Sequence, residues 1–364
     1  MPATSEVTSE VTTAPKAAVA PRAAVPRKKK LLNRAAADFS QPLRHAVQFA
    51  FLLLNLWIGI QFYLFVRYYE TGGQGFRVDR PAGVEGWLPI ASLMNLKALV
   101  FTGRLPETHP AGALLLIAFL LASWLFRKSF CGWLCPVGTV SEYLWRLGRR
   151  VFRRNFRLPR ALDIVLRGIK YILMGLFVYV VADMSVTGIR QFLDGPYGIV
   201  ADVKMLNLFR ELGLAGGIVM AVLVVGSVLV QNFWCRYFCP YGALMGLVSL
   251  ASPLRIRRDQ DLCIDCAKCA KACPSALPVD RLITIRSAEC LGCMQCVAAC
   301  PAEGALFLSA PQRRKVSAWA IAAGVATLFL GTYVCARWAG HWNTNLPERV
   351  YFELVPQADQ LSHP

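Results

Sequence analysis

Cysteine dominates the chemistry this chain could carry. Eight of its 13 cysteines fall in two matching runs, Cys263-x2-Cys266-x2-Cys269-x3-Cys273-Pro274 and Cys290-x2-Cys293-x2-Cys296-x3-Cys300-Pro301. Three thiolates at this pitch wrap one face of an iron–sulfur cube. The fourth, held just ahead of a proline, turns to the cube of the other run. The expected ligand sets are Cys263, Cys266, Cys269 and Cys300 for one [4Fe–4S] cluster, and Cys290, Cys293, Cys296 and Cys273 for a second. Such a pair passes single electrons. Zinc needs only four ligands and seldom draws three thiols in a row at this spacing. Disulfides belong to oxidising compartments and to chains too small to build a core. Soft thiolates in this number select iron–sulfur chemistry.

Four more cysteines form a second pattern. Phe130-Cys131-Gly132-Trp133-Leu134-Cys135-Pro136-Val137-Gly138 and Trp234-Cys235-Arg236-Tyr237-Phe238-Cys239-Pro240-Tyr241-Gly242 both read Cys-x3-Cys-Pro-x-Gly. Residues i and i+4 share a helix face, so each box is expected to present two thiols together at the cytoplasmic membrane surface. If the boxes pack about a pseudo-twofold, Cys131, Cys135, Cys235 and Cys239 converge and could hold a third metal or iron–sulfur centre. Arg127, Lys128 and Arg236 are expected to favour thiolate over thiol there. A reduced, buried or regulatory dithiol pair is the competing reading, since spacing alone does not fix a cluster. Cys335 has no partner motif and reads as core packing.

The elements that position these residues are apolar. The chain is 55% hydrophobic and 17% charged, against about 25% charged in soluble domains. Five segments qualify as membrane helices, roughly 45–66, 110–127, 162–183, 214–234 and 316–338, because a span needs about 20 mostly apolar residues. The net charge of +18 invites a nucleic-acid reading, but it lies beside the apolar spans and not on one soluble face. Of the 40 Lys and Arg residues, 30 fall on one side of this topology. That bias puts the N-terminus and the ferredoxin-like region in the cytoplasm and the C-terminus outside, and a reducing cytoplasm preserves free thiolates. Residues 1–44, rich in Ala, Pro, Thr and Lys/Arg, read as a disordered basic tail without a signal-peptide core.

The membrane part is built twice. Each hairpin of two spans ends in one Cys-x3-Cys-Pro box and both run in the same direction, giving a parallel repeat. The expected organisation is a tail 1–44, a first hairpin 45–135, a basic loop 136–161, a second hairpin 162–254, a two-cluster segment 255–310, a fifth helix 316–338 and a periplasmic tail 339–364. The fold class is a mostly α membrane protein, a five-helix bundle with a small cytoplasmic α+β ferredoxin domain. Gly168, Gly175, Gly216, Gly217 and Gly226 are expected at helix contacts, and Arg255, Arg257 and Arg258 at anionic headgroups.

Cys-x3-Cys-Pro after two hairpins, followed by a two-cluster segment, resembles the membrane-bound polyferredoxins of the NapH/NosR/MauN/YccM type. The resemblance covers about residues 45–340. Two outward segments also fit it, Arg80-Pro81-Ala82-Gly83-Val84-Glu85-Gly86-Trp87-Leu88-Pro89-Ile90 and Asp194-Gly195-Pro196-Tyr197-Gly198-Ile199-Val200-Ala201-Asp202-Val203. It implies a role between the quinol pool and a periplasmic redox partner, a cytochrome or a reductase, in the bacterial inner membrane. A periplasmic flavin-binding domain like that of NosR-like members is not expected, since residues 1–44 lead straight to the first expected span. Its fifth span and outward tail exceed the four-span NapH plan and point to the YccM-like branch.

Quinone sites are apolar pockets with one or two polar groups. His109, beside Pro110, is a titratable candidate, and Asp183 at the outer end of the third span is another. Lys97, Glu85 and Arg67 are further candidates. With four histidines in the chain and no two on facing spans at matching depth, b-type haem is not expected, His109 with His341 outside being the one pair left open, and no Cys-x2-Cys-His is present. No Gly-x-Gly-x-x-Gly or Gly-Lys-Ser/Thr loop supports nicotinamide or ATP chemistry. Two functions follow: a relay of electrons between quinol and a partner redox protein, as a quinol dehydrogenase subunit would provide, or a metal-reducing, assembly or regulatory protein that uses the Cys-x3-Cys-Pro thiols on a partner metalloenzyme.

Overall fold

The structure, a computed structural model, describes residues 33–36, 38–156 and 158–363. Most of the expected N-terminal tail lies outside the described residues. Its last part is placed: Ala35 N–H donates to the Pro301 carbonyl at 2.9 Å, and Arg34 bridges to Ala302.

Helix α1 (Ser40–Glu70) is followed by a 3₁₀ turn (Ala82–Trp87), α2 (Pro89–Thr102) and α3 (Pro110–Leu125). A π turn (Phe130–Leu134) leads into α4 (Pro136–Phe152), then α5 (Arg160–Asp183), α6 (Val186–Asp194), α7 (Pro196–Ile199), α8 (Ala201–Arg210) and α9 (Leu214–Leu229). The chain continues through α10 (Phe233–Tyr237), α11 (Pro240–Leu250), β1 (Arg255–Arg258), α12 (Lys268–Ala272), α13 (Gln295–Ala298), β2 (Leu306–Ser309), α14 (Ala318–Trp338) and α15 (Glu348–Leu354).

Three described helices, α1, α5 and α14, are long and apolar enough to cross a membrane. α8 and α9 qualify only as a pair bent by 80°, which makes at most four. The expected spans 110–127 and 214–234 appear as α3 and α9, 16 residues each. A helix of that length is about 24 Å long, short of an apolar core of about 30 Å. The ends have local causes. Pro110 opens α3, Arg127 just beyond it is left-handed at φ 64°, and α9 stops where Val230 turns extended. The short apolar α2 and α11 pack beside α3 and fill out the layer.

The repeat is visible in how α11 lies along α3. Tyr241 meets Phe119, the Ser123 hydroxyl donates to the Met245 sulfur at 3.1 Å, and the Arg127 guanidinium donates to the Ser249 carbonyl at 3.3 Å. The sequence offset is constant, so the two helices run side by side in the same direction.

The sheet is one antiparallel pair, β1 with β2, from Arg255 opposite Ser309 to Arg258 opposite Leu306. Arg255, Arg257 and Arg258, expected at headgroups, are therefore strand residues, and Arg258 binds the Leu282 carbonyl and Asp265. The iron–sulfur segment is docked rather than suspended. Trp133 and Leu134, each 1% exposed, share one core with Ile256, Leu308 and Ile321. Trp133 Nε1 donates to the Gly292 carbonyl at 3.1 Å, and Gly132 is a glycine because a Cβ there would stand 2.6 Å from the Leu291 carbonyl oxygen.

The glycines expected at helix contacts mostly face outward. A Cβ at Gly168, Gly175 or Gly217 would meet nothing within 4 Å, because α5 and α9 turn those faces away from the protein. Gly226 does make a contact, against the Phe233 ring, and the tightest approach is Gly148, whose Cβ would stand 1.8 Å from the Val228 carbonyl oxygen.

Candidate iron–sulfur centres and cavity

The two Cys-x3-Cys-Pro boxes do not lie on single helices. In each, the proline starts a new helix at its first position, where its missing N–H is harmless, and the second cysteine becomes the N-cap: Cys135 for α4 and Cys239 for α11. Backbone N–H groups of the new first turn point at the sulfur, Val137 and Gly138 toward Cys135 and Tyr241 and Gly242 toward Cys239. The Gly242 N–H lies 3.3 Å from the Cys239 Sγ. A helix N-terminus favours negative charge on that sulfur. The motif glycine is needed because a Cβ at Gly138 would stand 2.6 Å from the Cys131 carbonyl oxygen.

The structure brings all four thiols together. Cys235 lies within electrostatic reach of Cys131, Cys135 and Cys239, and all four line one cavity. Cys239 lies two residues before Tyr241, which is level with Phe119, so the thiols stand roughly 10 Å up α3 from its end at Leu125 at 1.5 Å per residue. Phe130 returns to the same level and stacks on Phe119 at 4.0 Å.

Of the three cations expected beside these thiols, Lys128 is there. It is 2% exposed, lines the cavity, and its charge reaches Cys131, Cys235 and Cys239. Arg127 instead clamps the carbonyls of Ser249 and Ser287, and Arg236 is paired with Asp163 at 2.8 Å. The buried Lys170, held by Glu289 at 2.6 Å, is a second nearby cation that the sequence did not single out.

In the two runs, Cys300 is within electrostatic reach of Cys263 and Cys266, and Cys269 of Cys300 and Cys263. Cys273 is within reach of Cys290, and Cys296 of Cys293, Cys273, Cys290 and Cys269. Cys273, Cys290, Cys293 and Cys296 also line one small apolar pocket with Ile256, Leu277 and Ile285. Burial pushes the thiols up, to about 11 at Cys269 and about 12 at Cys293. A thiolate in that setting needs the charge of a metal beside it. Among the described residues, no three or more His, Cys, Asp and Glu close around a single metal ion.

The cavity measures 1520 Å³ and runs from the four thiols and Lys128 past Phe119, Phe329 and Tyr333 to Arg80, Thr344 and Glu348 on the far side. At that end the two outward segments meet in a buried charge network. Arg80 donates to Glu85 at 2.6 Å and to Asp202 at 2.7 Å, with Asp202 2% and Glu85 0% exposed at the side chain. Burial opposes ionisation of Glu85, yet Arg80 and His109 hold its carboxyl down at about 2.

His109 is 2% exposed and does not line the cavity. Its Nε2 lies 2.8 Å from the Gly198 carbonyl oxygen, which can only accept, so Nε2 carries a proton. Its Nδ1 faces Arg80 at 3.0 Å. His109 thus braces the network. Asp183 is exposed and is not among the cavity residues, and Lys97 is spent on the carbonyls of Val181, Ala182 and Met184. Arg80, Asp202, Thr344 and Tyr241 were not picked out as site residues, since each draws its meaning from partners 120 or more positions away or from the cavity itself.

A family profile described as "4Fe-4S binding domain" matches residues 108–159 and 212–258, one Cys-x3-Cys-Pro box in each, and a "4Fe-4S dicluster domain" matches 255–314. The chain is 48% identical over 326 residues to the "Putative electron transport protein YccM" of Escherichia coli, covering 88% of this chain and 91% of that protein. It is 28% identical to the ferredoxin-type protein NapH of Haemophilus influenzae, over 49% of this chain and 60% of NapH. It is 26% identical to the methylamine utilization ferredoxin-type protein MauN of Methylorubrum extorquens, over 52% of this chain and 61% of MauN. No solved structure matches the chain.

Proposed function

We infer the function from one premise: this chain belongs to the YccM family of ferredoxin-type electron transport proteins. We propose that it is an inner-membrane protein that passes electrons between the quinol pool and a partner redox protein of a periplasmic pathway. Two [4Fe–4S] clusters on Cys263, Cys266, Cys269, Cys300 and on Cys290, Cys293, Cys296, Cys273 take part, with a third iron–sulfur centre on Cys131, Cys135, Cys235 and Cys239. The excess of Lys and Arg on the ferredoxin side supports a cytoplasmic place for it and a periplasmic C-terminus.

The observation that carries this reading is the convergence of four thiols, two from each repeat, on one cavity. Four thiols facing one another, with no histidine or carboxylate among them, suit iron–sulfur ligation. When bound, iron–sulfur clusters supply one-electron oxidation and reduction at potentials set by hydrogen bonds, charge and burial. The chain's own residues set those terms. Backbone N–H groups at the starts of α4 and α11 face two of the sulfurs, and Lys128 supplies positive charge. Trp133, Leu134 and Ile321 exclude water between the membrane helices and the ferredoxin segment.

Electron paramagnetic resonance on anaerobically purified protein, before and after quinol is added, tests this. The expected result is reduced-cluster signals that appear with quinol. Iron-loaded protein whose signals ignore quinol would reject the relay in favour of an assembly or regulatory role.

A further inference from the structure

The two ferredoxin-like cysteine sets differ in their surroundings. Cys273, Cys290, Cys293 and Cys296 are buried, whereas Cys263, Cys266, Cys269 and Cys300 are each partly open. The buried set adjoins the membrane helices. Gly132, next to Cys131, packs on the carbonyl of Leu291, next to Cys290, and Leu291 lines both the large cavity and the small pocket of the buried set. The open set lies beyond it, with Cys269 within electrostatic reach of Cys296. The order is therefore cavity thiols, Cys290 set, Cys263 set, and the Cys263 set is the end that faces outward on the ferredoxin side.

The rim of that end is apolar and basic. Leu262, next to Cys263, is 41% exposed, and Ile283, whose carbonyl accepts from the Arg258 N–H, is 54% exposed. Lys268 and Lys271 bracket Cys269 on α12. Among the exposed charged residues from 259 to 286, Lys268, Lys271, Arg281 and Arg286 are basic and Asp261 alone is acidic. Asp265 is spent on Arg258 at 3.3 Å. A further base stands at the Leu262 edge: a Cβ on Gly304 would lie 3.4 Å from Leu262 and 3.5 Å from the Lys315 ammonium. Exposed apolar side chains within a ring of one charge suit a transient protein partner of the opposite charge.

We propose that this rim docks a small, acidic, soluble protein that carries one electron, and that electrons pass between it and the chain at the Cys263 set. Each encounter moves one electron. The carrier is oxidised by one and the cluster on Cys263, Cys266, Cys269 and Cys300 is reduced by one, or the reverse, and no bond forms or breaks. The inference rests on the iron–sulfur part of the reading above, and it adds a water-borne partner on the ferredoxin side to the membrane-borne one. A lipid headgroup would use the positive charge of the rim but not its place beside Cys263 and Cys269.

The test is binding of an acidic plant-type [2Fe–2S] ferredoxin, used as the probe, to iron-loaded full-length protein in nanodiscs. Surface plasmon resonance reads the affinity, and iron and sulfide are counted on each sample. Affinity is expected to fall as salt rises. Lys268→Glu with Lys271→Glu is expected to weaken binding roughly tenfold, with metal content unchanged, and to slow bleaching of the cluster absorbance by the reduced probe. Arg149→Glu with Arg150→Glu, exposed bases beside the α4–α9 contact at Gly148, is expected to bind like the unmodified protein. Equal affinity in the lysine variant, an equal loss in the arginine variant, or no binding by iron-loaded protein would overturn the docking and leave the iron–sulfur reading standing. Binding in zwitterionic nanodiscs that vanishes in anionic ones would assign the rim to lipid headgroups and overturn it too. Oxygen-free protein without iron would overturn both.

Discussion

The rings of Tyr241 and Phe119 meet edge-on with centroids 6.2 Å apart. Because Phe119 lies in the middle of α3, this contact sets the depth of the thiol pair just before Tyr241. The Cys235 and Cys239 sulfurs are thereby held beside the middle of α3 rather than at its end.

Lys128 is the buried cation whose charge reaches three of these four sulfurs. A fixed positive charge stabilises the reduced, more negative state of a cluster. Lys128→Met should make the midpoint potential of the third centre more negative by at least about 59 mV, a tenfold change in a one-electron equilibrium. Lys128→Arg should largely preserve it. Redox titration followed by paramagnetic resonance reads both, and an unmoved potential in the methionine variant would remove Lys128 from this role.

The ferredoxin segment is tied to α1 and α4 by a buried polar junction. Arg44, 1% exposed at the side chain, binds Glu142 at 2.6 Å, Gln295 donates to the same carboxylate at 2.8 Å, and Gln41 donates to the Cys293 carbonyl at 2.9 Å. Burial opposes ionisation of Glu142, but Arg44 and Arg146 hold its carboxyl at about 2, below its ordinary 4.5. A depressed carboxyl contributes stability above pH 4.5, and that contribution fades as pH falls from 4.5 toward 2. Protease cleavage of the 255–310 segment should accelerate across that window. Arg44→Met, which strands a buried carboxylate at a cost of about 3–5 kcal/mol, should produce the same cleavage at neutral pH. A cleavage rate flat over the window would show that the junction is not held by this pair.

Gly148 and Gly175 make a matched contrast. A Cβ at Gly148 would strike the Val228 carbonyl, whereas one at Gly175 would meet nothing. Gly148→Ala should lower stability by about 1–3 kcal/mol through forced separation of α4 and α9. Gly175→Ala should be silent or slightly stabilising. Thermal unfolding in detergent compares the two, and equal midpoints would contradict the close packing.

His109→Ala would leave the Gly198 carbonyl without its partner in a buried network and one Arg80 nitrogen with Asp202 alone. The expected cost is about 1–3 kcal/mol of stability, seen as a lower unfolding midpoint with iron content intact and quinol-dependent cluster signals little changed. A variant of unaltered stability that lost quinol-dependent reduction would instead restore His109 as a quinol-contacting residue.

How much of this was readable in the chain depends on the range of each signal. The crossing of Cys273 and Cys300 between runs is a local spacing rule; in space Cys273 lies within electrostatic reach of Cys290, and Cys300 of Cys263 and Cys266. The parallel repeat was legible as two copies of one box. The local geometry of the boxes was not, because i, i+4 spacing suggested one helix, whereas Pro136 and Pro240 start new helices and send Cys135 and Cys239 to their N-caps. Span counting from hydropathy could not see that α3 and α9 stop at 16 residues, since those limits come from backbone turns at Arg127 and Val230. The Arg80–Glu85–Asp202 network joins segments more than 100 positions apart, and only the fold reveals it.

The measurement closest to the central claim is an iron and acid-labile sulfide count on oxygen-free protein, beside the same count for Cys239→Ala. Three centres predict about twelve irons per chain, falling by about four in the variant while the signals of the two ferredoxin-like clusters persist. Unmodified protein that holds no more iron than two cubes require, with the variant identical to it, would contradict a third centre in the membrane cavity.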